Sequence, residues 1–171
     1  MNNIKRISLT TAIFLTVAFS GPAADAGKVP FNGTLAANED FRLLGDPPFG
    51  FFVDGSGTAT STQLGQFTLV YTFMVAFSDI NPATSPGRAR LIAANGDNIF
   101  TTSAGLSIPT ADPNVSNIIE PHTVTGGTGR FEGAKGTFTI NRVITVENQE
   151  VLFGTTSGSF NGSIIVRGNP H

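Results

Sequence analysis

Val124-Thr-Gly-Gly-Thr-Gly-Arg-Phe-Glu-Gly-Ala-Lys-Gly-Thr-Phe-Thr-Ile140 decides how this chain folds. Glycines at 126, 127, 129, 133 and 136 stand between two apolar, β-branched runs, Ile118 to Val124 and Phe138 to Val146. Glycine is the default residue where the chain needs positive φ or close backbone approach. The pattern predicts a strand, a tight glycine turn, one short helical turn at Arg130 to Ala134, and a second strand. A phosphate loop is the competing reading, and the spacing argues against it. Lys135 is followed by Gly136 rather than Ser or Thr, and a strand rather than a long helix comes next. The same lack of a helix argues against a dinucleotide fingerprint.

Working outward, short β-prone runs are punctuated by glycine and proline. The chain has 20 Gly, 10 Pro, 15 Phe, one Tyr and no Trp. That composition favours an all-β sandwich or barrel. Lys28 to Leu35 reads as a first strand, Ala36 to Pro48 as a polar loop, and Phe49 to Ser61 as the next strand. Gly55 and Gly57 inside it suggest a bulge or bend. Leu64 to Phe77 is the longest strand. Its residues Phe67, Leu69, Tyr71, Phe73, Val75 and Phe77 share one face by the period of two. So long an aromatic row lines an interior, either as core filling or as the wall of a ligand cavity. Arg88 to Ala94 and Asn98 to Ser103 form a hairpin about Asn95-Gly96-Asp97. Gly105 to Asn117 reads as a connection, and Glu150 to Arg167 as the closing strand. In that strand Gly154, Gly158 and Gly162 recur on one face.

Met1 to Ala26 reads as a secretory signal peptide. Lys5 and Arg6 form the positive region, Ile7 to Phe19 the apolar region, and Ala24-Asp25-Ala26 the cleavage site. The apolar run is too short to span a bilayer. The expectation is a secreted or periplasmic protein whose mature part, 27–171, is one domain with no membrane span. The net charge is −2, and no basic cluster points to nucleic acid. Cysteine is absent, so packing and sheet closure must supply stability without disulfides.

Chemistry-bearing residues are sparse. There are two histidines, one of them the last residue, which leaves no metal site with ordinary ligand spacing. No G-x-S-x-G elbow supports a triad around His122. The acidic pairs Glu39-Asp40 and Glu147 with Glu150 fall in a loop and a turn and read as solvated surface. One arrangement is different. Ile118, Glu120, His122 and Val124 alternate on one face, and Phe138, Ile140, Arg142, Ile144 and Val146 on a face of the neighbouring strand. If the two strands pair, Glu120, His122 and Arg142 become polar points in an apolar lining, as in ligand pockets. An outward row or a structural ion pair is the competing reading. A slip of one residue would reverse every assignment.

Gly126-Gly127-Thr128-Gly129-Arg130-Phe131-Glu132-Gly133-Ala134-Lys135-Gly136 resembles the GGTGxFxGAxG signature of the allene oxide cyclase-like barrels. That superfamily includes the plant dirigent proteins and uncharacterised secreted bacterial proteins. Gly57-Thr-Ala-Thr-Ser-Thr-Gln-Leu-Gly-Gln-Phe-Thr68 is similar to a strand pair of the bacterial members. The resemblance implies a single antiparallel β-barrel of about eight strands, with Gly126, Gly127, Gly129, Phe131, Gly133 and Gly136 as its structural signature. It also implies a homo-dimer or homo-trimer. Two functions follow. One is a non-catalytic binder of a small hydrophobic ligand, or a structural module, without a cofactor. The other is an isomerase or cyclase that steers ring closure of a reactive intermediate in the cavity. Tyr71, Phe73, Glu120, His122 and Arg142 are the candidate ligand-binding residues. No catalytic residue is assigned.

Overall fold

The computed structural model describes residues 26–45, 50–62, 64–76, 84–148, 150 and 152–167. The signal-peptide reading of Met1 to Ala26, apart from Ala26 itself, and the place of Phe77 lie outside them. Among the described residues nine strands form: β1 (Ala26–Pro30), β2 (Gly33–Leu43), β3 (Gly50–Ser61), β4 (Gly65–Ala76) and β5 (Thr84–Ala93), then β6 (Asn98–Pro109), β7 (Val115–Gly127), β8 (Lys135–Asn148) and β9 (Phe153–Arg167). From β2 to β9 each strand pairs antiparallel with the next, and β9 pairs back onto β2. The result is a closed eight-stranded barrel with one extra strand. Closure leaves its eight strands without a free edge, the liability of any open sheet.

The extra strand corrects the reading of Lys28 to Leu35 as one strand. β1 and β2 lie end to end along the same side of β9, broken at Phe31-Asn32. There the Phe31 N–H donates to the Gly162 carbonyl (2.9 Å), and the Asn32 side chain accepts from the Gly162 N–H (3.2 Å). A second correction concerns Ala36 to Pro48. Strand β2 runs on to Leu43, because Leu35, Ala37, Glu39 and Phe41 alternate inward while Ala36, Asn38, Asp40 and Arg42 face out. A small and a charged residue on the inward row conceal the period. Likewise β6 and β7 take up most of Gly105 to Asn117, leaving only a tight turn. In it Thr110 donates to the Val115 carbonyl (2.9 Å) and the Val115 N–H to the Asp112 carbonyl (3.0 Å).

Gly55 and Gly57 make no bulge: β3 keeps an unbroken register with both neighbours. The register shifts instead between Phe100 and Thr101 on β6 and near Val146 on β8.

The signature builds one end of the barrel. A single 3-10 turn, Gly129–Phe131, links β7 to β8 and drops Phe131 and Ala134 into the core. Gly129 has φ of 56°, and a Cβ there would stand 1.9 Å from the Asp97 carboxylate. That carboxylate accepts from the Arg130 N–H (3.2 Å), and the Asn98 N–H donates to the Thr128 hydroxyl (3.0 Å). The Asn95-Gly96-Asp97 hairpin turn and the signature therefore lock together. Above them Phe31, Phe67, Phe138 and Phe160 meet ring to ring, with centroids 5.0 to 6.5 Å apart. This end is an aromatic plug.

Candidate functional site

The other half of the barrel interior is charged. The inward parity of β7 carries Glu120, His122 and Val124 into the interior, and that of β8 carries Phe138, Ile140, Arg142 and Ile144. His122 pairs across with Phe138 and Glu120 with Ile140. From β4 come Tyr71 and Phe73, buried beside Phe67 and Leu69. The structure thus brings Tyr71, Phe73, Glu120, His122 and Arg142 together in one interior. It adds three residues that the sequence reading did not select: Glu39, Thr101 and Thr156, all buried. Glu39, read as solvated surface, is 1% exposed.

Arg142 is the hub. Its Nε donates to Glu120 Oε2 (2.8 Å), and its Nη1 donates to Glu39 Oε1 and to the Thr156 hydroxyl (3.1 Å). The Tyr71 hydroxyl donates to the same Glu39 oxygen (2.6 Å). The guanidinium carbon lies 5.5 Å from the Tyr71 ring centroid and 5.4 Å from that of Phe73, over rings stacked 6.0 Å apart. A cation over an aromatic face gains from the ring quadrupole when water is excluded. His122 stacks on Phe138 at 4.9 Å, and its Nδ1 shares a hydrogen with the Thr101 hydroxyl (2.9 Å).

Glycines make the room. A Cβ at Gly55 would fall 2.1 Å from the Tyr71 ring, one at Gly105 2.6 Å from Glu120 Cγ, and one at Gly158 2.6 Å from Arg142 Cα. Gly55 and Gly154 flank Glu39 on its two neighbouring strands, and Gly158 sits opposite Arg142. A glycine at an inward position beside a long polar residue is the sequence signal that could have found Glu39.

Burial sets the protonation states. It raises the Glu39 carboxyl above the usual carboxylate range, against the opposing pull of Arg142 and the Tyr71 hydrogen bond. It also raises the Tyr71 phenol, and the Glu39 charge adds to the rise. His122 is lowered by burial to about 4, with the Glu120 charge opposing, so its ring is neutral near pH 7. For Arg142 burial opposes the charge, but Glu39 and Glu120 outweigh it and the guanidinium stays protonated.

Two buried polar atoms of the cluster have no hydrogen-bond partner among the described residues, His122 Nε2 and Arg142 Nη2. Both residues line a void of about 10 Å³ that also touches Tyr71, Phe73 and Glu120. A second void of similar size continues from it toward the aromatic plug. Each is near the minimum that holds one water. Past the cluster, toward the mouth, Phe41, Phe51 and Val75 are only partly buried against the core.

No family model matches the chain. No curated protein matches it by sequence. Solved structures do match. The pterocarpan synthase dirigent protein GePTS1 superposes with a TM-score of 0.53 at 9% identity, over 86% of this chain and 91% of that one. The fold is a dirigent-like β-barrel. At that identity the likeness concerns the fold alone. The cluster around Arg142 rests on this chain's own residues.

Proposed function

We propose that this dirigent-like barrel is an exported binding protein for a small, neutral, largely apolar molecule with one hydrogen-bond acceptor, such as a carbonyl oxygen. The pair of unpartnered atoms, Arg142 Nη2 and His122 Nε2, carries the reading. The Arg142 atom is a donor in every protonation state. In the tautomer that this reading takes, the Thr101 hydroxyl donates to Nδ1, and neutral His122 carries its hydrogen on Nε2 and is a donor too. A buried donor left unpaired costs about 1–3 kcal/mol, which an acceptor would recover. Glu39 and Glu120 already pair with the one cation, which disfavours an anionic guest. The void admits only the tip of such a ligand. Its apolar body would lie toward the mouth, against Phe41, Phe51 and Val75.

Tyr71 is the only tyrosine and the chain has no tryptophan, so its emission reports the site directly. Titration with small cyclic ketones should change that emission saturably, and the matched hydrocarbons should not. Arg142→Met should abolish the response. If no ketone in the series saturates, the reading fails. Native mass spectrometry of protein from its own host would then name any natural guest.

A second reading is that the barrel steers a ring closure by holding a reactive intermediate in one conformation. The fold favours it, since a barrel of this shape serves a protein described as a synthase. Recovery of a host-derived guest in altered form after incubation would separate catalysis from binding.

A further inference from the structure

Outside the barrel, strands β4, β5 and β6 border an open, shallow groove of about 440 Å³. Strand register sets its side chains in two rows. Thr72, Arg88 and Thr102 lie side by side, and Val70, Arg90 and Phe100 form the next row. Neighbouring strands stand about 4.8 Å apart, and alternate residues of one strand about 6.7 Å. The two guanidinium stems therefore rise from a polar row and an apolar-flanked row a single ligand length apart. The groove sits at the register shift between Phe100 and Thr101, and such a bulge sharpens the local twist. The Thr125 hydroxyl donates to the Phe100 carbonyl (3.2 Å) and holds the bulged backbone.

Arg88 and Arg90 are both exposed, and among the described residues no carboxylate pairs with either. The acid closest along the upper row is Asp54, beyond Thr72, and it is engaged by Arg42 at 2.5 Å. In a chain of net charge −2, the charged residues among those described as lining this groove are both cations. Val70 and Phe100, 41% and 38% exposed, supply apolar surface beside them. Arginine forks take oxyanions in paired hydrogen bonds, and threonine hydroxyls add donors on both sides of Arg88.

We infer that this outer groove binds an amphiphilic oxyanion. Its carboxylate or sulfate head lies on Arg88 between Thr72 and Thr102, and its apolar body lies across Val70 and Phe100 beside the Arg90 stem. This second site is separated from the interior by the wall of the barrel.

The test is calorimetric titration of the whole protein at low salt with octanoate below its micelle concentration, and separately with octyl glucoside and sodium sulfate. Octanoate should bind saturably. The Arg88→Gln/Arg90→Gln double variant should weaken it by about tenfold or more, the loss of at least one charge-assisted hydrogen bond. Phe100→Ser should weaken it less, and octyl glucoside and sulfate should bind far more weakly than octanoate. These substitutions lie on exposed positions, and an unchanged melting temperature will show that the variants fold. Absence of octanoate binding overturns the inference, as does equal binding by the double variant. Octyl glucoside binding as tightly as octanoate would mean an apolar patch only. Sulfate binding as tightly would mean solvated arginines only. Octanoate binding that moves Tyr71 emission and survives the double variant belongs to the interior and overturns it too.

Discussion

Replacing Arg142 with Met tests the charged interior most directly. The substitution keeps most of the stem's volume and removes the cation. It deletes the hydrogen bonds to Glu39, Glu120 and Thr156, and leaves two carboxylates facing each other inside the barrel. The side chains of Arg142, Glu39 and Glu120 are 2%, 1% and 6% exposed, so water cannot compensate. Removing one partner of a buried ion pair typically costs about 3–5 kcal/mol. The cost should depend on pH with a definite sign. Glu39 is already raised by burial, and without the cation its folded pKa rises further. A carboxyl whose folded pKa lies above its unfolded value contributes stability below the unfolded pKa, and that contribution is lost as pH rises through the folded one. The deficit of Arg142→Met relative to the parent should therefore be largest at pH 8 and smaller at pH 5. Chemical denaturation at both pH values measures it. The triple variant Glu39→Gln/Glu120→Gln/Arg142→Met, with no charge left to strand, should recover most of the loss. A deficit below about 1 kcal/mol at pH 8, or one of equal size at both pH values, would refute the argument.

Three further outcomes are expected. His122 has a folded pKa of about 4 against 6.5 in the unfolded chain, so the unfolded chain binds the extra proton between those values. Stability should fall by roughly 3 kcal/mol as pH drops from 6.5 to 4, and His122→Gln should flatten that slope when unfolding is followed across the window. Gly129→Val should destabilise by about 1–3 kcal/mol, because the residue needs positive φ and abuts Asp97, whereas Gly45→Val, with open space around it, should cost little in the same melts. In alkaline titration the phenolate absorbance of Tyr71 should stay absent above pH 10 until the chain unfolds. A phenolate seen in folded protein at that pH would mean that the hydroxyl is not held against Glu39.

The alternation rule made much of this fold legible. Phe67 to Phe73 on β4 and Phe138 to Ile144 on β8 are too large and apolar to face water in a row, so their parity fixed the inside of the barrel. Glu120, His122 and Arg142 were carried inward with them. Strand β2 shows where the rule weakens. Its inward residues at 37 and 39 are an alanine and a glutamate, and a carboxylate beside Asp40 reads as surface unless the partner strand is known. Arg142 lies 103 residues further on, and local pattern cannot join the two. The reading of Gly55 and Gly57 as a bulge or bend fails for a related reason. Gly55 can mean a bend or an empty place for a neighbour, and only the Tyr71 ring lying across it decides.

The cluster sits in an environment that should reject it. A barrel with this much phenylalanine could have filled its upper half with more, as it fills the lower half around Phe31. Buried ion pairs seldom add net stability over well-packed apolar residues of the same volume. Here Arg142, Glu39, Glu120, Tyr71 and Thr156 satisfy one another, while Arg142 Nη2 and His122 Nε2 are left over and border the same small void. If the cluster served stability alone, a water in that void would be partner enough for the leftover atoms. If it serves recognition, they are the part that matters, and the remaining bonds hold them in place. The triple variant separates these accounts. A barrel that regains its stability but no longer answers ketones through Tyr71 would assign the charges to binding. A barrel that regains neither would assign them to the fold.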